Sequence, residues 1–344
     1  MTKGEGGEPI DVDRLSGWMA ARVAGFAGPV TAHKFPGGQS NPTYRLDSPG
    51  GAYVLRRKPF GPILPSAHAV EREYRAIAAL HPTGFPVPRP HALCEDAGVI
   101  GSPFYVMELI EGRTIWDGTM PDAAPDERRR HYEALIDTLA ALHSIDPDAV
   151  GLGDYGRPGN YFERQVARWT KQYRAAETER MEPVERLIEW LPRTLPPQTR
   201  TSIVHGDYRI DNMIFAPREP RVIAVLDWEL STLGDPLADF SYLLMNWVTA
   251  PEGRSGVLGM TGPDTGIPTL DEVVARYCAA TGRDGVPQLD WYFAYNLFRL
   301  TGIVQGIKRR IIDGNASSAK AHETAARVGD LAAAAWGFAR RAGA

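Results

Sequence analysis

In the segment IVHGDYRIDNMIF, from Ile203 to Phe215, a histidine, two aspartates, an arginine and an asparagine sit between apolar flanks. A soluble core does not call for such a set, because charged and amide side chains are rarely buried without a partner. Asp207 and Asn212 are five residues apart, and Asp227 follows twenty residues after Asp207, at the end of the apolar run VIAVL. That run has the texture of a strand, with Met213–Phe215 as its hairpin partner. Such a hairpin would return Asp227 to the side of Asn212. Two hard-oxygen donors at one hairpin end suit Mg²⁺, which takes few protein ligands and completes its shell with phosphate oxygens and water. Asp207 would then be free to orient an attacking hydroxyl.

The chain that must position these groups has two textures. A helix is expected over Val12–Val23, capped by Asp11 or Asp13. From Val30, the strings VTAHKF, TYRLDSPGGAYVLRRK, PRPHALCED and SPFYVMELI suggest short strands, with Ser48–Gly51 as a hairpin turn. One helix interrupts them over PSAHAVEREYRAIAALH, with Ser66 as cap and Val70, Tyr74, Ile77 and Ala78 on one face. After EGRT the period turns helical, and Tyr132, Leu135, Ile136, Leu139 and Leu142 form one apolar stripe. Helical patterns continue from there, broken by the Gly/Pro/Thr-rich stretch Pro251–Pro268. The class is therefore α+β, with a strand-rich lobe over residues 1–110 and a helical lobe over residues 111–344.

Composition sets only wide bounds. With 43% hydrophobic and 23% charged residues, the chain is of ordinary globular type. A formal charge of -4 argues against a general affinity for nucleic acid or anionic membrane, and leaves room for a local basic patch. The start, MTKGEGGEPIDVDR, has no apolar signal-peptide core, and no run is long enough to span a bilayer. Cys94 and Cys278 stand far apart without metal spacing, which favours a reducing, cytoplasmic setting. Oligomeric state is not readable from the sequence.

Taken with its spacing, HGDxxxxN followed by a strand and LDW resembles the aminoglycoside phosphotransferase and choline kinase-like branch of the protein-kinase fold. There HGD stands where protein kinases have HRD, and LDW where they have DFG. The resemblance runs from about Val30 to Arg310 and implies a bilobal, protein-kinase-like fold that binds ATP and Mg²⁺ between its lobes. It implies that Asp207 aligns the acceptor hydroxyl and accepts its proton, while Asn212 and Asp227 hold Mg²⁺. In FPGGQSN, Gly37 and Gly38 would let backbone N–H groups approach phosphate oxygens, with Gln39, Ser40 and Asn41 adding donors. Outside the family context the same string is a hairpin turn.

On the third strand, alternation places Val54, Arg56 and Lys58 on one face and Arg57 on the other. Aligned on the lysine-bearing strand of kinases, Arg56 takes the lysine position and Val54 faces the adenine. Lys58 is the rival phosphate contact, since a planar fork and a point charge are not interchangeable. On the helix after it, at ~100° per residue, Glu73 lies about 60° from Val70 and Glu71 about 100° to the other side. Glu73 is therefore the expected partner of Arg56. FYVMELIEG is the implied hinge, with Met107 as gatekeeper, the Glu108 carbonyl and the Ile110 N–H meeting adenine. Asp239, in GDPLADFSYLL, resembles the family aspartate that braces the catalytic loop. His143 and His205 are expected as packed, bracing histidines.

The acceptor would be held by the helical lobe. Aminoglycosides and choline are cationic and call for acidic clusters or aromatic cages. The insert GLGDYGRPGNYFERQVARWTKQYRAA is aromatic and basic instead, and Arg299, Lys308 and Arg309 follow in FRLTGIVQGIKRR. Cationic side chains favour an anionic acceptor, and Arg209, Tyr161, Arg164 and Arg299 are the residues expected to hold it. These strings also resemble the kinase-like domain fused to certain acyl-CoA dehydrogenases, which implies a hydroxyacyl-CoA or other anionic metabolite as acceptor. The alternatives are an aminoglycoside or amino-alcohol acceptor, a nucleotide-binding pseudokinase, and a Mg²⁺-dependent phosphohydrolase.

Overall fold

The alternation of apolar and polar residues between Thr31 and Glu108 is realised as a five-stranded antiparallel sheet. Its strands β1 (Thr31–Lys34), β2 (Thr43–Ser48), β3 (Gly51–Arg57), β4 (Pro90–Cys94) and β5 (Phe104–Glu108) lie in the order β1-β2-β3-β5-β4. The structure is a computed structural model that describes residues 10–36, 41–59, 69–251, 255–314 and 319–344. The chain divides into two compact units, one strand-rich and one helical, and this is the α+β, two-lobed class expected from the sequence. The first unit comprises residues 1–115, 150–152 and 211–231, and the second the remainder.

In the strand-rich unit, α1 (Val12–Arg22) begins where Asp11 accepts a hydrogen bond from the Arg14 N–H at 3.0 Å. Its Leu15 and Met19 join Leu46, Tyr53, Leu55, Phe104 and Val106 in a core on one face of the sheet. Trp18 meets the Phe104 ring edge-on at 4.8 Å. By the two-residue period of strands, Arg56 and Tyr105 then point to the other face. That face is covered by α2 (Val70–Leu80), whose Glu73, Ala76, Ile77 and Leu80 are buried. Ser66, expected as its cap, lies outside the described residues, and Ala69 at the cap position makes no side-chain bond.

The hairpin predicted from MIF and VIAVL is present, with Met213 paired to Val225 and Ile214 to Ala224. It belongs to the strand-rich unit although helices surround it in sequence. Reciprocal bonds of 2.8 Å join Arg113 and Phe215, and the Val225 N–H donates to the Pro86 carbonyl at 2.8 Å. The chain leaving β5 can pass this close only because residue 112 is glycine. A Cβ there would stand 2.4 Å from both Ile214 Cγ2 and the Phe215 carbonyl oxygen.

The helical unit contains α3 (Pro125–Ser144), α4 (Tyr161–Ala176), α5 (Glu182–Trp190), α6 (Leu237–Leu244), α7 (Leu270–Thr281), α8 (Leu289–Ile312), α9 (Ala319–Ala326) and α10 (Val328–Arg341). The predicted stripe of α3 is buried in full, from Tyr132 to Leu142. A two-stranded ladder, Ser202–Val204 against Thr232–Gly234, was not visible in the sequence. Three residues are too few to establish alternation, and only the pairing defines such strands. The aromatic residues of the insert are packing residues: Tyr155, Tyr161, Trp169 and Tyr173 are all buried.

Gly112→Ala is expected to destabilise the strand-rich unit by about 1–3 kcal/mol, the usual cost of forcing atoms into packed structure. A lowered urea midpoint would show it, and an unchanged midpoint would mean the passage over Phe215 is not tight.

Candidate functional site

In the strand-rich unit, Arg56 is the centre of a charged cluster. Its Nε stands 2.8 Å from Glu73 Oε2, an ion pair whose angle falls short of a hydrogen bond. Its Nη2 donates to Asp227 Oδ1 at 2.6 Å and to Glu229 Oε2 at 3.4 Å. Glu73 also accepts from Asn41 Nδ2 at 2.5 Å and from the Tyr105 hydroxyl at 3.1 Å. Glu71 pairs with Lys58 instead. Arg56 on β3 and Lys58 just beyond its end therefore each have their own carboxylate on α2, with Arg56 inward and Lys58 at the margin. Neither Glu229 nor Tyr105 was singled out from sequence. Glu229 is two residues beyond Asp227, and Tyr105 is the register partner of Arg56 on β5.

The electrostatics follow from one cation facing three carboxylates. Burial first, and the repulsion of Asp227 and Glu229, push Glu73 up to about 7, against the opposing pull of Arg56 and Asn41. Burial works to lower the pKa of Arg56, but Glu73, Tyr105, Asp227 and Glu229 together hold it above its ordinary value. The guanidinium stays charged at any working pH.

Asp227 sits where the hairpin ends. Its φ of +67° is left-handed, a region that aspartate enters more readily than most residues. The Leu226 N–H donates to the Asn212 carbonyl at 2.9 Å, so Asn212 and Asp227 flank the last rung of one ladder. Among the described residues no group of three or more His, Cys, Asp and Glu side chains forms a metal cluster. One amide oxygen and one carboxylate form the sparse hard-oxygen set that Mg²⁺ accepts when phosphate supplies further ligands. These residues fit that ion.

Of the expected nucleotide contacts, Gly37, Gly38, Gln39 and Ser40 lie outside the described residues. Asn41 is buried, with its amide committed to Glu73. Val54 and Met107 are register partners and both buried. The ladder ends at Glu108, whose N–H donates to the Arg89 carbonyl at 2.9 Å. Ile110 follows outside any strand, so its backbone groups are not taken by the sheet.

Asp207 belongs to the helical unit, in a loop fixed by Asp239 of α6. The Asp239 carboxylate accepts from the His205 N–H at 2.6 Å and the Gly206 N–H at 2.8 Å, with His143 Nε2 at 3.4 Å. Burial works to raise the pKa of Asp239, but the bonds from His143 and Gly206 outweigh it and hold the carboxyl ionised. Burial lowers that of His143, keeping it neutral, and its Nδ1 lies 2.7 Å from the Tyr277 hydroxyl. Both histidines are packed and engaged, as expected. Arg209 Nε stands 3.6 Å from Asp207 Oδ1, with 34% of the Arg209 side chain exposed. The Tyr242 hydroxyl also bonds Asp207; burial, then the Asp207 charge, push this phenol up to about 12, so it donates. Tyr242 was missed in the sequence, although it lies one helical turn beyond Asp239 on the same face.

The other acceptor candidates are partly committed. Tyr161 is buried against Gly234, where a Cβ would meet its ring at 2.4 Å. Arg164 donates to the Gly159 carbonyl and, at 2.7 Å, to the Arg157 carbonyl. Arg299 donates to the Gly206 carbonyl at 2.8 Å.

Comparison with known proteins addresses the family of the chain. The profile described as the phosphotransferase enzyme family matches residues 31–292. The mouse (Mus musculus) acyl-CoA dehydrogenase family member 10 is 44% identical over 319 residues, covering 92% of this chain and 30% of the relative. The chain thus spans under half the length of the curated relatives that share this name. A crystal structure from Ralstonia eutropha, named as a candidate aminoglycoside phosphotransferase, is 46% identical with a TM-score of 0.90, covering 97% of this chain and 99% of that one. A spectinomycin phosphotransferase solved with ADP and spectinomycin shares the fold alone, at 13% identity and a TM-score of 0.59 over 95% of this chain and 99% of that one.

Because Glu73 binds its proton more tightly when folded, with a pKa of about 7 against 4.5 unfolded, its contribution to stability is full below 4.5 and lost as pH rises through 7. The stability of the wild type relative to Glu73→Gln is expected to decline across that window in parallel urea titrations. A difference that does not change with pH would contradict the raised pKa.

Proposed function

The chain belongs to the phosphotransferase enzyme family, and from that premise we propose that it is an ATP- and Mg²⁺-dependent kinase of a small hydroxyl-bearing metabolite. The observation that carries the reading is the hairpin that returns Asp227 to Asn212 while Asp227 rests on Arg56. Phosphoryl transfer asks mainly for positioning and for neutralisation of charge on the phosphate oxygens. Asn212 and Asp227 would hold Mg²⁺, which when bound would supply that neutralisation. Arg56, fixed by Glu73, adds a second cation for the phosphates. Val54 and Met107 give an apolar surface for the adenine, and the backbone of Glu108 and Ile110 gives its polar contacts.

Asp207 accepts the proton of the acceptor hydroxyl. The acceptor oxygen bonds to the γ-phosphorus as the bond to the β–γ bridging oxygen breaks, and ADP leaves with that electron pair. The Tyr242 hydroxyl and the Arg209 guanidinium stand beside the Asp207 carboxylate and orient it. A partly exposed arginine beside this carboxylate supports an anionic acceptor. The likeness to proteins named as acyl-CoA dehydrogenase family members supports a hydroxyacyl-CoA.

Two measurements test the assignment. Release of ADP from MgATP is followed with hydroxyacyl-CoAs carrying the hydroxyl at successive carbons, and with aminoglycosides and amino alcohols. Turnover is expected with the first class; turnover with the cationic compounds alone would replace it, and acceptor-independent phosphate release would mean a hydrolase. Separately, Asp207→Ala is expected to lower kcat by about a thousandfold or more with nucleotide affinity nearly intact. Asp227→Ala should abolish the Mg²⁺ dependence of nucleotide binding, and an unchanged Mg²⁺ response would remove it from the metal site.

A further inference from the structure

Gly206, the residue before Asp207, is held from both sides. Its N–H donates to Asp239 and its carbonyl accepts from Arg299 Nη2, each at 2.8 Å. Its φ of +88° is a left-handed turn that glycine enters without strain. Because peptide units are rigid planes, fixing the carbonyl of Gly206 also fixes the plane that leads into Asp207. Asp239 cannot do this alone, since it grips only N–H groups on the near side of that plane.

The guanidinium of Arg299 is itself set in place. It comes from the middle of α8 and lies 4.9 Å from the ring centre of Tyr242 and 5.5 Å from that of Trp169. The same Tyr242 donates its hydroxyl to Asp207. One cation thus steadies the main chain entering Asp207 and the ring that orients its carboxylate. Its Nε is buried with no hydrogen-bond partner among the described residues. Leaving a buried donor unmet is unfavourable, and packing alone would be served better by an apolar side chain of like volume. A lysine could supply the charge but not the planar fork that stacks on rings while donating to a carbonyl.

We propose that Arg299 is a positioning residue for Asp207, acting on the loop and not on the acceptor. The kinetic consequence rests on the kinase reading above; the structural consequence does not. Full-length Arg299→Met and Arg299→Lys proteins test both. In amide hydrogen exchange, the segment 203–210 is expected to lose protection about tenfold or more in Arg299→Met, in keeping with loss of a charge-assisted bond. Arg299→Lys should fall between, and it carries the test alone should the Met variant fail to fold. With MgATP and hydroxybutyryl-CoA as the probe, kcat should fall about ten- to a hundredfold while the KM for hydroxybutyryl-CoA moves less than about twofold. Unchanged exchange over 203–210 overturns the proposal, as does a raised KM at unchanged kcat. If the wild type turns over no acceptor, the kinase reading fails by itself and exchange still decides the role of Arg299.

Discussion

One guanidinium facing three carboxylates governs the strand-rich unit. Arg56 is mostly buried, and burying a cation without partners is prohibitive. Glu73, Asp227 and Glu229 answer that need from two directions, the helix α2 and the hairpin end. The sheet, the helix and the hairpin are thereby tied at one point, and each must be in register for the others to be satisfied. Because the carboxylates outnumber the cation, the cluster carries surplus negative charge. A divalent cation would be drawn to such a point, and Asn212 at the neighbouring rung offers a neutral oxygen beside it.

The helical unit solves a different problem. Asp207 is useful only if its carboxylate is ionised and points one way, yet it lies in a loop, where backbone freedom is greatest. The loop is fixed by polar groups and not by packing alone. Asp239 takes two consecutive backbone N–H groups, His143 stands against its carboxylate, and Arg299 takes the next carbonyl. The residues that hold this loop come from α3, α6 and α8, so the precision of the loop is a property of the whole helical bundle.

The long elements were legible because their periods are strong. The stripe of α3 and the alternation of β2 and β3 appear where the sequence places them, and α2 lies within its expected span but begins at Val70 with Ala69 at the cap position. The hairpin was legible too, since a strand ending in a carboxylate beside a short apolar run has few other uses. The ladder of Ser202–Val204 with Thr232–Gly234 was not, as its three-residue strands have no period to detect. The aromatic and basic insert showed the same gap from another side. Its composition suggested a binding surface, but the rings turn inward and most of the arginines stay at the surface.

By itself the sequence determined the class of fold, because that follows from periodicity, and its HGDxxxxN and LDW strings carried the resemblance that implied the family and the residues able to handle phosphate. Only the tertiary structure decided which carboxylate meets which cation. Glu71 and Glu73 are two residues apart on one helix, and their separate pairing with Lys58 and Arg56 depends on how α2 lies across β3. It also decided the company kept by Asp207. Tyr242 and Arg299 are distant from it in sequence, and only the packing of α6 and α8 brings a ring and a guanidinium to the same loop.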